Sequence, residues 1–382
     1  MVRGRCIFPR VHLYFHVPFC ARRCSYCDFA IAVRRNVPSE RYVSAVLREW
    51  SWRRQHPAWD ISDTVDTLYF GGGTPSRLDP AEIARIINGI AAEREIAPDA
   101  EVTLEANPED VTPSAASAWR AAGVNRVSLG VQSFDPAVLQ WMHRTHSAEQ
   151  VPAAVDALRT AGIGDVSLDL IFGLPGDLHR HWEDDLARAL ALRPSHLSLY
   201  GLTVEAGTPL GRWTERGEVR PVDENLYATE FLAADAALGQ AGFQHYEVSN
   251  YALPNHRARH NSAYWSRAPF LGLGPSAHSG WAGERQWNLR EWAAYLAAAE
   301  QGADPVAGHE RLDSEAIAIE ELYLGLRTSD GLSAERIPPE DRERWIGAGW
   351  AVVAESRLRL TPEGWLRLDA LVARLTRYRL EA

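Results

Sequence analysis

The sequence predicts an α/β fold: a partial (β/α)6 barrel followed by a small C-terminal α+β domain. Three observations predict it. From Leu13 to about Val248, short apolar strands alternate with longer helical segments, as in parallel βα units. Polar and glycine-rich stretches follow these strands, where such folds place their active sites. From Arg311 onward the chain instead reads as helices around a hairpin.

Each predicted strand is a short apolar run bounded by turn residues. The six runs are Leu13–Val17, Thr67–Phe70, Glu101–Glu105, Arg126–Val131, Val166–Ile171 and His196–Tyr200. A closed barrel of this type has eight strands. Six strands therefore predict an open barrel, with a gap that another part of the chain or a substrate must cover.

The helices between the strands carry capping signals. The first helix is predicted over 39–52. Asp79 and Thr112, each followed by proline, predict helix starts, and Gly123 predicts a helix end. Ser147 is predicted to cap the helix that runs to Ala161.

The last third of the chain divides into two further regions. Residues 251–310 are rich in aromatics, glycine and proline with little periodicity, which predicts a connecting segment after a barrel domain over 1–250. Residues 311–382 predict a winged-helix-like domain, with a hairpin of 351–354 and 358–360. That domain carries 11 arginines and 13 acidic residues, so a DNA-binding wing is not expected.

Composition excludes several classes of function. All 40 basic residues are arginine, which excludes Schiff-base, pyridoxal-phosphate and Walker-type lysine chemistry. Fifty acidic residues give a net charge of −10, which argues against nucleic acid as a partner. Neither a signal sequence nor a membrane-length apolar run is evident. We therefore expect a cytoplasmic protein that meets a membrane only through a partner.

The strongest signal is a CxxxCxxC loop that leaves the first strand, formed by Cys20, Cys24 and Cys27. An iron–sulfur cube with three cysteine ligands keeps one iron open for a substrate. The alternative is a zinc ion held by the three cysteines and His16. Cys6 is a further candidate for a fourth ligand, although its position upstream of the first strand predicts an incidental thiol.

Five ordered stretches, together with the cysteine loop, resemble the oxygen-independent coproporphyrinogen oxidase group of the radical S-adenosylmethionine (SAM) superfamily. They are 14–20 (YFHVPFC), 71–76 (GGGTPS), 104–108 (LEANP), 130–134 (GVQSF) and 169–175 (DLIFGLP). The resemblance implies a [4Fe-4S] cluster whose unique iron is chelated by SAM. The electron donor it implies is a protein such as a flavodoxin or ferredoxin.

The resemblance also implies a set of cofactor contacts. Cys20, Cys24 and Cys27 match the cluster ligands. Arg144 matches a cation that faces the SAM carboxylate. The other matching positions are Tyr14 and Tyr26 beside the cofactor, Gly72, Gly73 and Thr74 at its methionine part, and Glu105, Gln132 and Asp169 as polar contacts that end successive strands.

Two departures separate this chain from the coproporphyrinogen oxidases. Those enzymes carry a further cysteine two residues after the third cysteine of the loop. In this chain Asp28 and Phe29 follow Cys27, so phenylalanine stands at that position. Residues 260–265 (HNSAYW) resemble the HNxxYW motif of the HemW heme chaperones, which implies heme binding with His260 as an axial ligand. The alternative for His260 is a loop histidine that is hydrogen-bonded to the backbone.

Three hypotheses follow. The leading one is a HemW-type heme chaperone that binds heme, the cluster and SAM and passes heme to an acceptor protein. The second is a radical SAM oxidase that decarboxylates a coproporphyrinogen-like tetrapyrrole. The third is a zinc-stabilised binding module without redox chemistry.

Overall fold

The computed structural model describes residues 10–55 and 64–380, so Cys6 lies outside the described residues. The strands up to residue 201 are β1 (Val11–Val17), β2 (Phe19–Cys20), β3 (Ala32–Val33), β4 (Thr64–Gly72), β5 (Glu95–Ala106), β6 (Arg126–Gln132), β7 (Asp165–Phe172) and β8 (His196–Gly201). The later strands are β9 (Gln244–Glu247), β10 (Asn250–Ala252), β11 (Phe270–Leu273), β12 (His278–Trp281), β13 (Glu284–Asn288), β14 (Val306–Arg311), β15 (Leu332–Ser333), β16 (Ala351–Ala354) and β17 (Arg357–Leu360).

The helices alternate with the strands in the first half and cluster toward the end of the chain. The helices up to residue 191 are α1 (Ser39–Arg53), α2 (Pro80–Ala91), α3 (Pro113–Ala122), α4 (Pro136–Trp141), α5 (Gln150–Thr160) and α6 (Trp182–Ala191). The later helices are α7 (Pro209–Glu215), α8 (Glu224–Gln240), α9 (Arg259–Trp265), α10 (Trp292–Gln301), α11 (Ser314–Arg327), α12 (Pro339–Gly347), α13 (Pro362–Trp365) and α14 (Leu368–Leu380). Within the described residues, no helix is long and apolar enough to cross a membrane.

The described residues form two compact units. The first contains those of Met1–Val131 with Leu139–Val166 and Arg259–Arg311, and the second contains Gln132–Val138, Ser167–Ala258 and Leu312–Ala382. Each unit is built from segments that are distant in sequence. The predicted division of the chain at residues 250 and 310 stays a prediction.

The first unit is built on parallel strands. β1 pairs with β4, β4 with β5, and β5 with β6, all in parallel. On the other side of β1, β11 pairs in parallel, and β12, β13 and β14 continue from it as antiparallel strands. Leu13, Phe15, Leu68, Phe70 and Leu104 are fully buried in its core. Because β1, β4 and β5 run in one direction, the residues at their carboxyl ends meet at one edge of the sheet.

The first unit also contains β2 and β3, and the second unit contains β8, β9, β10, β15, β16, β17 and β7 from Ser167 onward. β7 pairs in parallel with β8, and β10 lies antiparallel between β8 and β9. In the C-terminal part of this unit, α11 and α12 precede a hairpin of β16 and β17, which β15 extends to three strands. The order of helices and hairpin is the one that the sequence predicted.

The α/β class and all six predicted barrel strands are confirmed, and the strands are longer than predicted at several ends. Capping predictions hold at two helices, where Asp79 accepts from the Ala81 amide at 2.9 Å and Thr112 accepts from the Ala115 amide at 3.1 Å. The prediction for Ser147 is wrong. α5 begins only at Gln150, whose side-chain oxygen accepts from the Ser147 amide at 2.8 Å.

The region that the sequence predicted to be a connecting segment is largely regular. It contains helices α9 and α10 and strands β11 to β14. Glycine and proline interrupt the short strands here, so the period-two pattern never extends far enough to predict them. As a result, residues 260–265 of the HNxxYW motif lie in helix α9.

Candidate functional site

The cysteine loop is held between two short strands of the first unit. Cys20 ends β2, which pairs in parallel with β3. The Cys27 amide donates to the Cys24 carbonyl at 3.4 Å, and the Ser25 amide donates to the Met142 carbonyl at 3.2 Å. All three cysteines are free thiols, with Cys20 buried and the other two partly exposed. The structure therefore gathers the predicted ligands on one folded loop.

Two side chains donate hydrogen bonds to the cysteine sulfurs. The Thr74 hydroxyl donates to Cys20 Sγ at 3.4 Å, and Arg144 Nη1 donates to Cys24 Sγ at 3.6 Å. Burial raises the pKa of Cys20, and it raises the pKa of Cys27 to about 11. At neutral pH these thiols hold their protons unless a metal replaces them, so iron binding here releases protons.

The arrangement fits an iron–sulfur cube better than a zinc ion. Among the residues that the structure describes, no group of three or more His, Cys, Asp or Glu side chains is placed to hold one metal ion. His16 uses both ring nitrogens elsewhere: Nε2 bonds the Ala30 carbonyl at 3.0 Å and Nδ1 bonds the Tyr14 hydroxyl at 3.2 Å. In a cube each thiolate binds its own iron, so the three ligands need not converge on a single point.

Two buried polar atoms beside the loop add to this fit. Ser25 Oγ and Arg144 Nε have no hydrogen-bond partner within the described part of the chain. An unpaired buried polar atom costs free energy unless a ligand or water satisfies it. The surroundings of the cysteines thus leave donors for a bound group.

A cavity of about 310 Å³ opens next to the loop at the carboxyl ends of the strands. This volume lies within the range of small-molecule sites. The cavity is lined by Tyr14, His16, Asp28, Phe29, Ala30, Gly72, Glu105, Ser276 and Arg290. Three of the predicted cofactor contacts, Tyr14, Gly72 and Glu105, are therefore brought together in one wall.

Glu105 is tied into that wall by two hydrogen bonds. Its Oε1 accepts from the Tyr69 hydroxyl at 2.7 Å, and its Oε2 accepts from the Gly72 amide at 3.0 Å. The carboxylate thereby links the ends of β4 and β5. Its predicted contact with the ammonium group or ribose of SAM stays a prediction.

The glycines of 71–73 fit closely against the protein itself. Gly72 has a left-handed φ of 109°, and a Cβ there would lie 2.6 Å from the His16 ring. A Cβ on Gly73 would lie 2.8 Å from the Pro18 carbonyl carbon. Conformation and packing thus already require glycine at both positions, whether or not a cofactor approaches them.

Arg144 joins the cysteine loop to two neighbouring strands. Its Nη2 donates to Asn107 Oδ1 at 2.6 Å and to the Gly130 carbonyl at 2.7 Å. The sequence motifs contained Asn107 and Gly130, but their role in holding Arg144 was not predicted. With Nη1 on Cys24, the guanidinium is fixed in place, and its predicted contact with the SAM carboxylate stays a prediction.

Burial raises the pKa of the Tyr26 hydroxyl, so this hydroxyl stays neutral.

His260 lies in a buried chain of hydrogen bonds. Its Nδ1 bonds the Thr67 hydroxyl at 2.6 Å, and that hydroxyl also bonds His12 Nδ1 at 3.0 Å. Its Nε2 bonds the Tyr264 hydroxyl at 2.8 Å. The ring of Tyr69 stacks on it at 4.9 Å between centroids. Both ring nitrogens are thus occupied, so heme ligation requires one of these bonds to open.

The buried histidines of this hydrogen-bond chain make the free energy of unfolding depend on pH. Burial lowers the pKa of His260 well below its usual 6.5 and also lowers the pKa of His12. In the unfolded protein these imidazoles take up a proton near pH 6.5, whereas in the folded protein they stay neutral to a lower pH. Their contribution to the free energy of unfolding is therefore present above about pH 6.5 and is lost below it. When the pH is lowered from about 7.5 to about 5.5, we expect the free energy of unfolding to fall by about 1.4 kcal/mol for each imidazole that stays neutral in the folded protein. Urea unfolding at both pH values measures it, and His260→Gln should show a smaller loss than His309→Ala, which removes an exposed histidine.

Gln132 and Asp169 belong to the second unit. Gln132 ends β6 with a left-handed φ of 67°. Asp169 does not end its strand as predicted, because β7 continues to Phe172. Its Oδ1 accepts from the Ser167 hydroxyl at 3.4 Å. The contacts of both residues with SAM stay predictions.

Several residues that line the cavity were missed by sequence reasoning. Ser276 follows β11, whose parallel pairing with β1 places it at the same sheet edge, but β11 itself was not predicted. Arg290 reaches the cavity from a distant part of the sequence and donates to the Asp28 carbonyl at 3.2 Å. Asp28 and Phe29 directly follow Cys27 in the sequence, so their position next to the cysteine loop could have indicated that they line the cavity.

The fold, the cysteine loop and the cavity define a radical SAM domain, and residues 14–189 match the model of the radical SAM superfamily. The chain is similar to the heme chaperone HemW of Mycobacterium tuberculosis, with 38% identity, 95% of this chain and 94% of the relative covered. It is also similar to HemW of Lactococcus lactis, with 34% identity over 85% of this chain and 83% of the relative. The chain therefore belongs to the HemW family of radical SAM proteins.

A solved structure supports the fold. The chain is similar to coproporphyrinogen III oxidase (HemN) from Escherichia coli, a radical SAM enzyme, with a TM-score of 0.78. The match covers 97% of this chain and 91% of that chain at 23% identity. The predicted radical SAM barrel with its additional C-terminal part is thus confirmed as a fold.

Proposed function

We propose that this protein is a heme chaperone, which binds heme and transfers it to an acceptor protein in the cytoplasm. The observation that carries the proposal is the 38% identity with a HemW heme chaperone over 95% of the chain. Phe29, at the position where coproporphyrinogen oxidases carry a further cysteine, argues against the oxidase. The match of residues 14–189 to the radical SAM superfamily argues against the zinc module.

In this proposal Cys20, Cys24 and Cys27 hold a [4Fe-4S] cluster, which supplies one-electron chemistry and an open iron for SAM. Thr74 and Arg144 donate hydrogen bonds to two of the cysteine sulfurs, and such bonds stabilise negative charge on sulfur. Arg144, which is partly buried, places a fixed positive charge beside the Cys24 sulfur. These side chains therefore favour the deprotonated ligands that iron requires.

The cavity is the proposed site for SAM. Tyr14 presents an aromatic ring to it, Gly72 its backbone, and Glu105 a carboxylate that two hydrogen bonds orient. Tyr26, Gly73, Thr74, Arg144, Gln132 and Asp169 complete the proposed set of contacts. An electron carrier and the heme acceptor are the proposed protein partners.

We expect His260→Ala to weaken heme binding about tenfold or more and to shift the heme absorption band, if His260 is the axial ligand. A heme titration followed by absorbance measures both, with the exposed His309→Ala as the matched control. Tyr264→Phe removes the hydroxyl that occupies Nε2, so it should bind heme at least as tightly as the unchanged protein. An unchanged spectrum and affinity in His260→Ala would rule out this ligand.

The oxidase is distinguished from the chaperone by its product. The anaerobically reconstituted protein is incubated with coproporphyrinogen III, SAM and a reductant, and the porphyrins are separated by chromatography. The chaperone proposal expects no protoporphyrinogen, together with heme transfer from the loaded protein to a heme-free acceptor. Formation of protoporphyrinogen would overturn it.

A further inference from the structure

The loop around the cysteines carries a concentration of positive charge on an acidic protein. Between residues 20 and 36 there are four arginines, Arg22, Arg23, Arg34 and Arg35, against the single acidic residue Asp28. The local charge is therefore +3, whereas the whole chain carries −10. All four arginines are exposed. We call these four residues the arginine patch.

Carboxylates do not neutralise the patch in the contacts that the structure describes. Arg23 donates to the Cys27 carbonyl at 3.3 Å and Arg34 donates to the Val33 carbonyl at 2.9 Å. Exposed arginines elsewhere form ion pairs, such as Arg41 with Glu300 at 2.7 Å. Because a carbonyl carries no net charge, bonds to it leave the patch positive.

The patch is fixed in position beside Cys20. β3 pairs with β2, and the Arg34 amide donates to the Cys20 carbonyl at 2.9 Å. Arg77 clamps the same segment, with Nη1 on the Arg34 carbonyl at 2.8 Å and Nη2 on the Arg35 carbonyl at 2.9 Å. Arg77 adds a further positive charge. A protein that docks here meets a preformed surface, which lowers the ordering cost of binding.

Two large apolar side chains lie in the same segment. Phe29 is 58% exposed and Val33 is 47% exposed. Aromatic residues and arginine are the side chains enriched in protein interfaces. Steering charges combined with exposed apolar contacts are typical of a surface that binds another protein transiently.

We propose that the arginine patch, with Phe29 and Val33, is the docking surface for a small acidic protein that carries single electrons. The inference rests on the proposed function, because it requires the cluster on the three cysteines. One electron leaves the carrier, which is oxidised by one electron, and passes to the cluster, which is reduced by one. Arg22 and Arg23 lie between Cys20 and Cys24 in the sequence, and the Arg34 amide bonds the Cys20 carbonyl. Docking at the patch therefore brings the carrier close to the cysteine loop.

The test is charge reversal at Arg22→Glu and Arg35→Glu together, with Arg23 and Arg34 retained because they hold the loop. The control is Arg120→Glu with Arg344→Glu, two exposed arginines of α3 and α12 whose reversal changes the net charge equally. Reduced flavodoxin serves as the acidic carrier, and dithionite serves as a reductant that needs no docking. The readouts are the Kd for oxidised flavodoxin by calorimetry and the rate of cluster reduction by absorbance.

We expect the reversal in the patch to raise the Kd and to lower the rate with flavodoxin about tenfold or more at low ionic strength. The difference should shrink as salt screens the charges. Reduction by dithionite and the iron content should match the control. Equal effects of both charge reversals, no binding of flavodoxin, or tighter binding of a short oligonucleotide would overturn the docking surface. Failure of the unchanged protein to assemble a cluster would instead overturn the proposed function.

Discussion

Replacement of Cys24 by serine is expected to abolish the iron–sulfur cluster. The hydroxyl of serine is a poor ligand for iron, and two cysteines alone leave the cube without its third anchor. Iron in the reconstituted protein should fall from about four atoms per chain to below about one. The polypeptide should stay folded, because the serine keeps nearly the same volume and the Arg144 guanidinium keeps its bonds to Asn107 and Gly130.

Iron analysis and the visible absorption spectrum measure this loss, and circular dichroism checks the fold. Cys6→Ser is the matched control, since the sequence predicts that this thiol is not a ligand. We expect Cys6→Ser to retain full iron content. A normal cluster in Cys24→Ser, or an equal loss in Cys6→Ser, would contradict the assignment of Cys20, Cys24 and Cys27 as the ligand set.

The barrel strands could be predicted from the sequence because each one obeys a local rule. A buried parallel strand needs a continuous apolar run, and runs such as Leu13–Val17 end in glycine, proline or polar residues. Helix starts at Asp79 and Thr112 follow from hydrogen bonds between close neighbours in the sequence. The cysteine spacing is likewise local, so the loop was identified before its surroundings were known.

The walls of the site could not be predicted in this way, because they depend on pairings between distant residues. Ser276 reaches the cavity because β11 pairs with β1 across more than half the chain, and Arg290 reaches it from the segment after β13. The alternative of a loop histidine bonded to the backbone is wrong, because His260 lies in helix α9 and its ring bonds the side chains of Thr67 and Tyr264. No local pattern specifies which strand a short run such as Phe270–Leu273 will join.

The glycine segment shows why a motif and its physical cause can differ. The resemblance implied that these glycines leave room for a cofactor. In the structure Gly73 lies against the backbone of residues 17 and 18, and its amide donates to the Val17 carbonyl at 2.8 Å. The close approach joins the end of β4 to the start of the cysteine loop. A side chain at residue 73 would therefore displace the backbone that leads into the cysteine loop, before it could obstruct a cofactor.

Gly73→Ala is accordingly expected to destabilise the protein by about 3 kcal/mol, at the upper end of the cost of overpacking. An added Cβ would lie 2.8 Å from the Pro18 carbonyl carbon and 2.9 Å from the Val17 carbonyl oxygen. Both are backbone atoms, so no flexible side chain can move aside. We also expect a lower iron content, because Thr74 is displaced from its hydrogen bond to Cys20.

Gly164→Ala is the matched control, since a Cβ there meets no heavy atom within 4 Å. Urea unfolding of both variants, each without iron, separates packing from cluster loss, and iron analysis after reconstitution then measures the second effect. We expect Gly164→Ala to stay within about 0.5 kcal/mol of the unchanged protein. If Gly73→Ala were as stable as Gly164→Ala, the close contact with residues 17 and 18 would not be what requires glycine. The requirement would then lie with the cofactor, as the motif resemblance implies.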